Sequence, residues 1–392
     1  MNSHYNVSRE ELITFTQIII KERSISGEEG SVAKVIAEEM KKLGFEVTTD
    51  ALGNVIGELN LGPGPCILID SHMDTVGVTD SSKWTYNPEG EIVDNRLYGR
   101  GTMDMKGPLA ASVYGAAALK DKLKGGRILV SASIAEELVE GAATVKIAEA
   151  VNPDYAIICE ATNLKIARGQ RGRGEVKIEI FGVPTHSSRP ELGINAAELM
   201  ADVSTALRAI EPPSHEVLGK GILVLTDVLS TPYPANSVVP DYCISTYDRR
   251  TLPGETAESI LKPIEQIVAQ TLEPYKVEWK VSLAVDEFDS YTGQRVEAEN
   301  FAAAWYYEQT EPLVQFAQSG LKKINQSSDL SYYAFCTNGS GTAGDLKIPT
   351  IGYGPGNEEL AHRIDEYIDL DELETGAHGY AAIIESIVTK YI

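Results

Sequence analysis

Residues 66–74 have the sequence CILIDSHMD, in which an apolar run meets an acid, a histidine and a second acid. The run that begins at Cys66 stops at Asp70, which is the pattern of a strand buried on both faces of a parallel sheet. Comparable strands are predicted over residues 127–134, 155–159 and 348–352. Because helical periodicity lies between these strands, for example over residues 106–123, the sequence predicts an α/β layer structure.

A different pattern begins near Arg173. Residues 174–182 alternate apolar and polar side chains, which is typical of a strand with one exposed face. The order that follows, strand-helix-strand-strand-helix-strand, predicts a small antiparallel sheet with helices on one face. The first pattern returns near residue 296, so the second domain is interpreted as an insertion. The predicted division gives residues 1–172 and 288–392 to the first domain and residues 173–287 to the inserted domain.

Composition narrows the class of protein. A chain of 392 residues is longer than one hydrophobic core usually holds. With 34 basic and 57 acidic residues, the net charge of −23 argues against a nucleic-acid partner and against an anionic membrane surface. The four cysteines form no CxxC pair and indicate buried thiols in a reducing compartment. The sequence has no signal-peptide pattern and no apolar run of about 18 residues, so we expect a cytoplasmic protein.

Acids and histidines recur just after the predicted strands, or in a glycine-rich turn that opens a helix. In an open α/β sheet, the carboxyl ends of the strands form the edge where ligands bind. Imidazoles and carboxylates together form a ligand set that zinc accepts, and one shared carboxylate holds two ions about 3.5–4 Å apart. The candidate metal ligands are His72, Asp104, Glu137, Glu160 and His362.

Three acids have further predicted roles at this edge. Asp104 is the best candidate for the shared carboxylate. Asp74 lies two residues after His72 and is predicted to accept the free imidazole N–H, which would fix the tautomer of His72. Glu136 is predicted to stay free of metal and to take a proton from water as the general base.

Each of these features has a simpler structural interpretation. A single histidine is usually structural, a Glu-Glu pair usually lies on a solvated face, and an acid after a strand is often a helix cap. The glycine-rich residues around Asp104 also fit an ordinary turn. Their joint order along the chain favours a metal centre over these separate explanations.

That order resembles a known family. The motifs SHMDTV at 71–76, GRGTMDMKG at 99–107, Glu-Glu at 136–137 and GPG followed by His362 are similar to those of zinc-dependent deacylases and exopeptidases. The family includes acetylornithine deacetylase, succinyl-diaminopimelate desuccinylase, aminoacylase and glutamate-releasing carboxypeptidases. The resemblance implies a catalytic domain with a mixed sheet and helices on both faces. It also implies an inserted α+β lid or dimerisation domain, and a homodimer.

The resemblance assigns the ligands to two Zn²⁺ ions per subunit, with Co²⁺ or Mn²⁺ as alternatives. The first zinc takes His72, Asp104 and Glu160, and the second takes Asp104, Glu137 and His362. Residues 168–196 and the LGKG sequence at 218–221 are closer still to one bacterial branch of this family.

Four further positions are implied to contact substrate. His186 matches a histidine of the inserted domain that reaches the active site of a partner subunit and donates to the oxyanion, although a surface histidine is the alternative. Asn236 and Gly354 match substrate-binding positions. Arg250 would bind a substrate carboxylate through its planar guanidinium, with an interdomain salt bridge as the alternative and Arg249 as the candidate if the register shifts by one.

One departure bears on the substrate. Many relatives carry Thr-Asp or Ser-Asp shortly before the last ligand strand, whereas this chain has Thr337-Asn338-Gly339. The departure weakens the expectation that this chain shares the substrate of acetylornithine deacetylase or succinyl-diaminopimelate desuccinylase. The metal ligands are unaffected by the difference.

The predicted function is hydrolysis of the amide bond in a small N-acyl amino acid. The alternatives are a dipeptidase, tripeptidase or carboxypeptidase acting on short peptides, and a metal-binding scaffold without catalysis. The scaffold is disfavoured because Glu136 accompanies all five ligands. A dinucleotide site is excluded because Gly99-Arg100-Gly101 lacks the third glycine and the later ribose-binding acid.

Overall fold

A computed structural model describes residues 5–391, and the chain divides into two compact units. The first unit contains residues 5–170, 287–297 and 305–391, and the second contains residues 171–286 and 298–304. The second unit therefore takes a short return segment that the sequence analysis gave to the first domain. The reason is local pairing, because Phe301 and Ala302 form a strand against Gly174 and Arg173 of the second unit.

Within the described residues there are eight α-helices. Their first turns follow ordinary capping rules: the Ser8 hydroxyl accepts the N–H of Glu11 at the start of α1, and Asp369 caps α8 in the same way. The helices are α1 (Arg9–Lys21), α2 (Gly30–Leu43), α3 (Lys106–Ala117), α4 (Ala142–Val151), α5 (Ala196–Leu207), α6 (Ala257–Leu272), α7 (Pro312–Lys323) and α8 (Leu370–Val388).

The strands of the described chain are numbered in sequence order. The first eight belong to the first unit: β1 (Glu46–Thr49), β2 (Val55–Asn60), β3 (Cys66–His72), β4 (Glu91–Val93), β5 (Arg96–Tyr98), β6 (Arg127–Ser133), β7 (Tyr155–Ile158) and β8 (Ile166–Gln170). The next six belong to the second unit: β9 (Gly172–Phe181), β10 (Ser214–His215), β11 (Gly219–Lys220), β12 (Ile222–Thr231), β13 (Tyr242–Thr251) and β14 (Glu278–Leu283). The remaining strands are β15 (Val285–Asp289), β16 (Arg295–Glu299), β17 (Phe301–Ala302), β18 (Trp305–Tyr306), β19 (Leu330–Tyr333), β20 (Thr350–Gly352) and β21 (Tyr367–Asp369).

The first unit is built on one mixed sheet. Its order is β1-β2-β6-β3-β7-β20-β8-β18, with β19 paired to β8. The central strands β6, β3, β7 and β20 run parallel, so their carboxyl ends lie at one edge. Ile67 and Ile69 on β3 join the core formed with α1, α3 and α8, whereas Leu68 packs on the other side with Ile147 of α4. Helices therefore cover both faces, and the predicted fold class is confirmed.

Strand β3 is longer than the sequence analysis predicted. The prediction ended the strand at Asp70, but pairing with β6 continues through His72, and all seven residues are buried. Asp70 is therefore an acid inside the sheet and does not mark the end of the strand. Its burial is tolerated because neighbouring side chains donate hydrogen bonds to it.

The second unit is an antiparallel sheet of order β12-β13-β9-β14, with β17 also paired to β9. Val176, Ile178 and Ile180 of β9 form a core with α5 and α6 on one face, as the alternating pattern predicts. Strand β12 lies at the edge and is exposed along much of its length, including Val228 and Leu229. Across residues 5–391, the helices are all too short or too polar to span a bilayer.

Candidate metal centre

The candidate ligands lie at the carboxyl edge of the mixed sheet. His72 ends β3, Glu137 follows β6, and Glu160 follows β7 two residues after its last residue. Asp104 precedes α3, and His362 follows β20 after a short turn. Because β6, β3, β7 and β20 are successive neighbours in the sheet, their ends deliver these side chains to one place.

Asp104 lies between the two histidines. Its Oδ1 atom is 3.0 Å from Nε2 of His72, and its Oδ2 atom is 3.2 Å from Nε2 of His362. Each oxygen of one carboxylate therefore faces a different imidazole. This is the arrangement that a carboxylate shared between two ions requires.

Two glutamates complete the two halves of the cluster. Oε1 of Glu160 is 3.3 Å from Nε2 of His72, and Oε1 of Glu137 is 3.0 Å from Nε2 of His362. Around a tetrahedral zinc, ligand atoms about 2.1 Å from the ion lie roughly 3.4 Å from one another. The measured separations are close to that spacing, and the donors are the nitrogen and oxygen atoms that zinc accepts. The residues present therefore fit a pair of divalent ions.

Glu136 is adjacent to the cluster. Its Oε2 atom is 3.8 Å from Nε2 of His72, farther than the oxygens of Asp104 and Glu160. Ligand atoms of His72, Glu136 and Glu160 all lie within 4.8 Å of one another, as do those of His72, Asp104 and Glu137. Glu136 is thus placed within reach of the same space without the short contacts of the other acids.

The cluster contains more acidic than basic side chains and so carries excess negative charge. Burial raises the pKa of Glu136, Glu137 and Glu160, and the charge of neighbouring carboxylates adds to each rise. Hydrogen bonds with Asp104 and Glu137 raise the pKa of His362 to about 10. Burial alone lowers the pKa of His72, but the surrounding carboxylates outweigh it and raise that pKa well above its usual value. Bound divalent cations would neutralise this charge.

Asp74 orients both His72 and the glutamate pair. The Nδ1 atom of His72 is 3.0 Å from the carbonyl oxygen of Asp74 and 3.3 Å from its Oδ1, so the Nδ1–H donates to Asp74 and Nε2 faces the cluster. The backbone N–H groups of Glu136 and Glu137 donate to Oδ1 and Oδ2 of Asp74, each at 3.1 Å. The Ser26 hydroxyl also donates to Asp74. Besides His72, Asp74 therefore also contacts the glutamate pair and Ser26.

Two residues beside the site, Glu366 and Arg100, are not predicted from the sequence. The Glu366 carboxylate is fully buried and accepts the backbone N–H groups of Met103, at 2.8 Å, and Asp104, at 3.3 Å. Its other oxygen accepts a hydrogen bond from Arg100, which also donates to the carbonyl oxygen of His362. This ion pair therefore holds the turn that presents Asp104. The only sequence signal was an acid four residues after His362.

Asp70 and Asn338 were also missed as parts of the site. From the sequence, Asp70 is predicted only to end a strand, and Asn338 bears only on the identity of the substrate. The amide of Asn338 donates to Oδ2 of Asp70 at 2.8 Å, and its oxygen accepts the N–H of Gly141 at 2.8 Å. Gly141 ends the segment that carries Glu136 and Glu137, so this contact reaches the centre indirectly.

Three of the predicted substrate residues lie in the second unit. His186 is exposed, pairs with Val238 in an isolated bridge, and its Nδ1 atom accepts the N–H of Ser188. Asn236 is exposed and has a φ of +46°, a left-handed conformation that asparagine tolerates. Their contacts with substrate stay predictions.

The two arginines of β13 point to opposite faces. Arg250 is half-buried and donates from Nε to Oδ1 of Asp248 at 2.9 Å. Arg249 is buried and is bound by Glu255, which leaves it without the freedom that substrate binding needs. Of the two, Arg250 therefore has the more accessible guanidinium. The salt bridge that it forms lies within one sheet of the second unit.

Gly354 lies in the first unit, tightly packed beside the ligand strand. A Cβ atom at this position would lie 2.5 Å from the carbonyl oxygens of Cys159 and Glu160. Its N–H donates to the hydroxyl of Thr162, and its carbonyl oxygen accepts from Thr162 and Leu164. These contacts show that Gly354 permits close approach of the chain next to Glu160. Its predicted contact with substrate is untested.

The chain is similar to known proteins in sequence and in fold. The model of "Peptidase family M20/M25/M40" matches residues 68–386. The uncharacterized protein YgeY of Escherichia coli strain K12 is 33% identical over 382 residues, which cover 95% of this chain and 93% of YgeY. Acetylornithine deacetylase of Photorhabdus laumondii is 28% identical over 382 residues, covering 92% of this chain and 91% of that enzyme.

A solved structure has the same fold. Aminopeptidase PepT of Bacillus cereus superposes with a TM-score of 0.76 at 21% identity, and the match covers 97% of this chain and 99% of PepT. The family match and the YgeY match each span most of this chain. The chain therefore belongs to peptidase family M20/M25/M40, and it is a metal-dependent hydrolase.

Proposed function

We propose that the protein hydrolyses the amide bond of a small N-acyl amino acid with a pair of zinc ions. The observation that carries the proposal is the position of Asp104, whose two oxygens face His72 and His362 separately at 3.0 and 3.2 Å. One carboxylate between two imidazoles supports a two-ion centre rather than a single structural site.

The ligand assignment follows from the two halves of the cluster. His72, Asp104 and Glu160 would hold one ion, and Asp104, Glu137 and His362 would hold the other. Zinc bound there would polarise the scissile carbonyl and lower the pKa of water at the site. Cobalt or manganese could occupy the same donors.

The chain's own residues supply the proton transfers. Glu136 has a buried side chain near His72 and a backbone N–H fixed by Asp74, so its carboxylate is held at the centre. In the proposed reaction, Glu136 takes the proton of the attacking water and later delivers it to the leaving amine. Asp74 keeps the His72 ring in the orientation and tautomer that ligation needs.

The choice of an acylated amino acid comes from the sequence relatives. One sequence relative is an acetylornithine deacetylase, an enzyme named for removing an acetyl group. The match covers 91% of the length of that enzyme. Arg250 is proposed to bind the free carboxylate of the amino acid. Since Arg250 already pairs with Asp248, substrate would have to compete with that carboxylate for the guanidinium.

The active form is proposed to be a homodimer, with no nucleic-acid or membrane partner. Support comes from β12, an edge strand whose Val224, Val228 and Leu229 are 48%, 53% and 56% exposed. A long apolar edge of this kind is suited to pairing with another copy of itself. His186 of one subunit is proposed to donate to the oxyanion in the other. The four cysteines are buried and form no disulfide among the described residues, which supports a cytoplasmic location.

The proposal is tested by amine release from a panel of N-acetyl and N-succinyl amino acids and of di- and tripeptides. The protein is first stripped with chelator and then assayed alone and with zinc, cobalt or manganese. Zinc-dependent release from one acylated amino acid, at least tenfold faster than from any peptide, is the expected result. Peptides as the better substrates would establish the peptidase alternative, and two tightly bound ions with no turnover at all would establish the scaffold.

A further inference from the structure

Asp70 is a buried carboxylate on the strand that carries His72. It lies two residues before His72 on β3, so the two side chains project from the same face of the strand. Asp70 is fully buried, and the donors that the described residues offer it are neutral. They are the hydroxyls of Ser131, Ser133 and Thr144 and the amide of Asn338.

Asn338 connects this acid to a different part of the chain. Its Nδ2 atom donates to Oδ2 of Asp70 at 2.8 Å and to the Ser133 hydroxyl at 3.0 Å. Its Oδ1 atom accepts the backbone N–H of Gly141 at 2.8 Å. The Asn338 side chain is therefore used at both ends, as a donor toward β3 and as an acceptor toward Gly141.

Residues 136–141 are thereby fixed at both ends. At the start, the N–H groups of Glu136 and Glu137 are bound by Asp74. At the end, Gly141 is bound through Asn338 to Asp70. Both attachments return to the chain within two residues of His72. The spacing between His72 and the two glutamates is thus set by two independent contacts.

The segment that carries Asn338 is itself held in place. The Thr337 hydroxyl donates to Oε1 of Gln170 at 2.6 Å, and Nε2 of Gln170 donates to the Ser340 hydroxyl at 2.8 Å. Gly141 also packs tightly here, since a Cβ atom on it would lie 2.9 Å from the backbone nitrogen of Gly341. Asn338 is therefore a fixed support and not a side chain that adapts to the loop.

We propose that Asn338 is a positioning residue for the metal centre and that Asp70 and Asn338 form a matched acid–amide pair. The inference deepens the proposed function, because the loop it positions carries the proposed ligand Glu137 and the proposed base Glu136. An amide is needed at position 338, since this side chain must donate to a carboxylate and accept from an N–H at once. A carboxylate there would place two buried acidic oxygens about 2.8 Å from each other.

The same reasoning predicts that the pair can be interchanged. In the double variant Asp70→Asn/Asn338→Asp, the amide introduced at 70 donates to the carboxylate introduced at 338. That carboxylate still accepts the N–H of Gly141. The number of buried acids is unchanged. The hydrogen bond between positions 70 and 338 is therefore restored, with the donor now at position 70 and the acceptor at position 338.

The experiment compares the wild-type protein, Asn338→Asp, Asp70→Asn and the double variant. Thr144→Val serves as the matched control, because it removes one hydrogen bond to Asp70 and none to Gly141. Zinc affinity and the number of zinc ions retained are measured by competition with a chelating dye, together with the melting temperature. The kcat and KM are measured with the best substrate of the panel.

Asn338→Asp is expected to bind the weaker zinc at least tenfold less tightly and to lose roughly 10²-fold in kcat with little change in KM, as small misplacement of catalytic groups does. The double variant is expected to return to within about threefold of wild type in zinc affinity and kcat. Thr144→Val is expected to lower the melting temperature while keeping zinc affinity and kcat. If Asn338→Asp does not fold, Asn338→Ser, which adds no charge, is expected to show the same loss of zinc affinity in milder form.

A double variant as impaired as Asn338→Asp would overturn the proposal. So would an Asn338→Asp or Asn338→Ser protein that melts earlier but binds zinc and turns over normally per folded molecule, since the role would then be structural only. Zinc affinity decides the matter even if no substrate in the panel is hydrolysed. An experiment that contradicts the proposed reaction can therefore be distinguished from one that contradicts the positioning role of Asn338.

Discussion

The backbone N–H of Glu136 donates to Oδ1 of Asp74 at 3.1 Å, which ties the proposed base to the residue that orients His72. One carboxylate thus determines both the direction of an imidazole and the position of the glutamate beside it.

Replacing Glu136 with Gln should remove most turnover and leave the metal in place. The carboxylate is needed to carry the proton, and general-base catalysis contributes about 10²–10⁴-fold, so kcat should fall by that factor. The measurement is kcat together with zinc content by elemental analysis. Glu140→Gln, on the same loop, is the control and should stay within a few-fold of wild type. A Glu136→Gln protein with nearly full kcat would exclude Glu136 as the base.

Removing metal should lower the thermal stability of the protein. Without cations, the buried carboxylates of Glu136, Glu137 and Glu160 repel one another, and burial keeps their pKa values raised. A ligand present at 1,000 times its Kd stabilises the folded state by about 4 kcal/mol. Scanning calorimetry with chelator, and again after zinc is restored, should show a fall and a recovery of Tm. An unchanged Tm would contradict a tightly bound ion.

Replacing Glu366 with Gln should weaken the presentation of Asp104. The change leaves the half-buried Arg100 guanidinium without its charged partner and weakens the acceptor of two backbone N–H groups. Breaking a buried ion pair costs about 3–5 kcal/mol, and we expect a loss near the lower end because Gln keeps the shape. Urea unfolding should report this loss, and zinc affinity should fall with it. Unaltered zinc affinity would show that the Asp104 turn does not depend on Glu366.

Glu29 should make the folded state less stable as pH rises through neutrality. It is fully buried at the start of α2, and burial, with the charge of Asp74 adding to it, raises its pKa from 4.5 to about 7. In the window from pH 4.5 to 7 the folded state holds a proton that the unfolded state has lost, so stability falls as pH rises. The full effect is about 3 kcal/mol above pH 7.

Glu29→Gln should remove that dependence. The free energy of unfolding of the variant minus that of wild type should increase between pH 4.5 and 7 and then level off. Urea titrations at several pH values, with chelator present to suppress metal binding, measure the difference. A difference that does not change with pH would show that the Glu29 carboxyl titrates alike in both states.

Charged substitutions on β12 should dissociate the proposed dimer. Val228→Glu combined with Leu229→Glu places two like charges per chain on an exposed apolar edge, and analytical ultracentrifugation should detect monomers. Val285→Glu, at a residue 46% exposed, is the control and should leave the mass unchanged.

If His186 of one subunit completes the active site of the other, mixing the Glu136→Gln and His186→Ala proteins should restore part of the activity after subunit exchange. Each mixed dimer would contain one site with both residues intact. A wild-type protein that sediments as a monomer would remove the basis for a role of His186 in the partner's site.

The sequence pattern was enough to predict that the proposed ligands lie together, because four of them follow an apolar strand and Asp104 lies in a glycine-rich turn that opens a helix. That pattern is local, and His72, Glu137, Glu160 and His362 were all placed at one sheet edge by it. The paired roles of Asp70 and Asn338 could not be found in this way, since they depend on a contact between residues 268 positions apart. Helix α4 was also missed.

The boundaries of the inserted domain were harder to predict than its sheet and helices. The alternation along β9 and β13 is strong, and the sheet and its helices were predicted correctly from it. The strand at Phe301 and Ala302 returns to β9 after the chain has left the second unit, and nothing in two residues signals such a pairing. Which arginine of β13 is accessible was likewise decided by Glu255, which binds Arg249 from the turn that follows the strand.

The contact between Glu137 and His362 joins positions separated by 225 residues. A cation that needs both side chains cannot be captured by a nascent chain until nearly all of the polypeptide has been synthesised and the sheet has closed. Binding of the ion proposed for Glu137 and His362 would consequently be a late event in biogenesis.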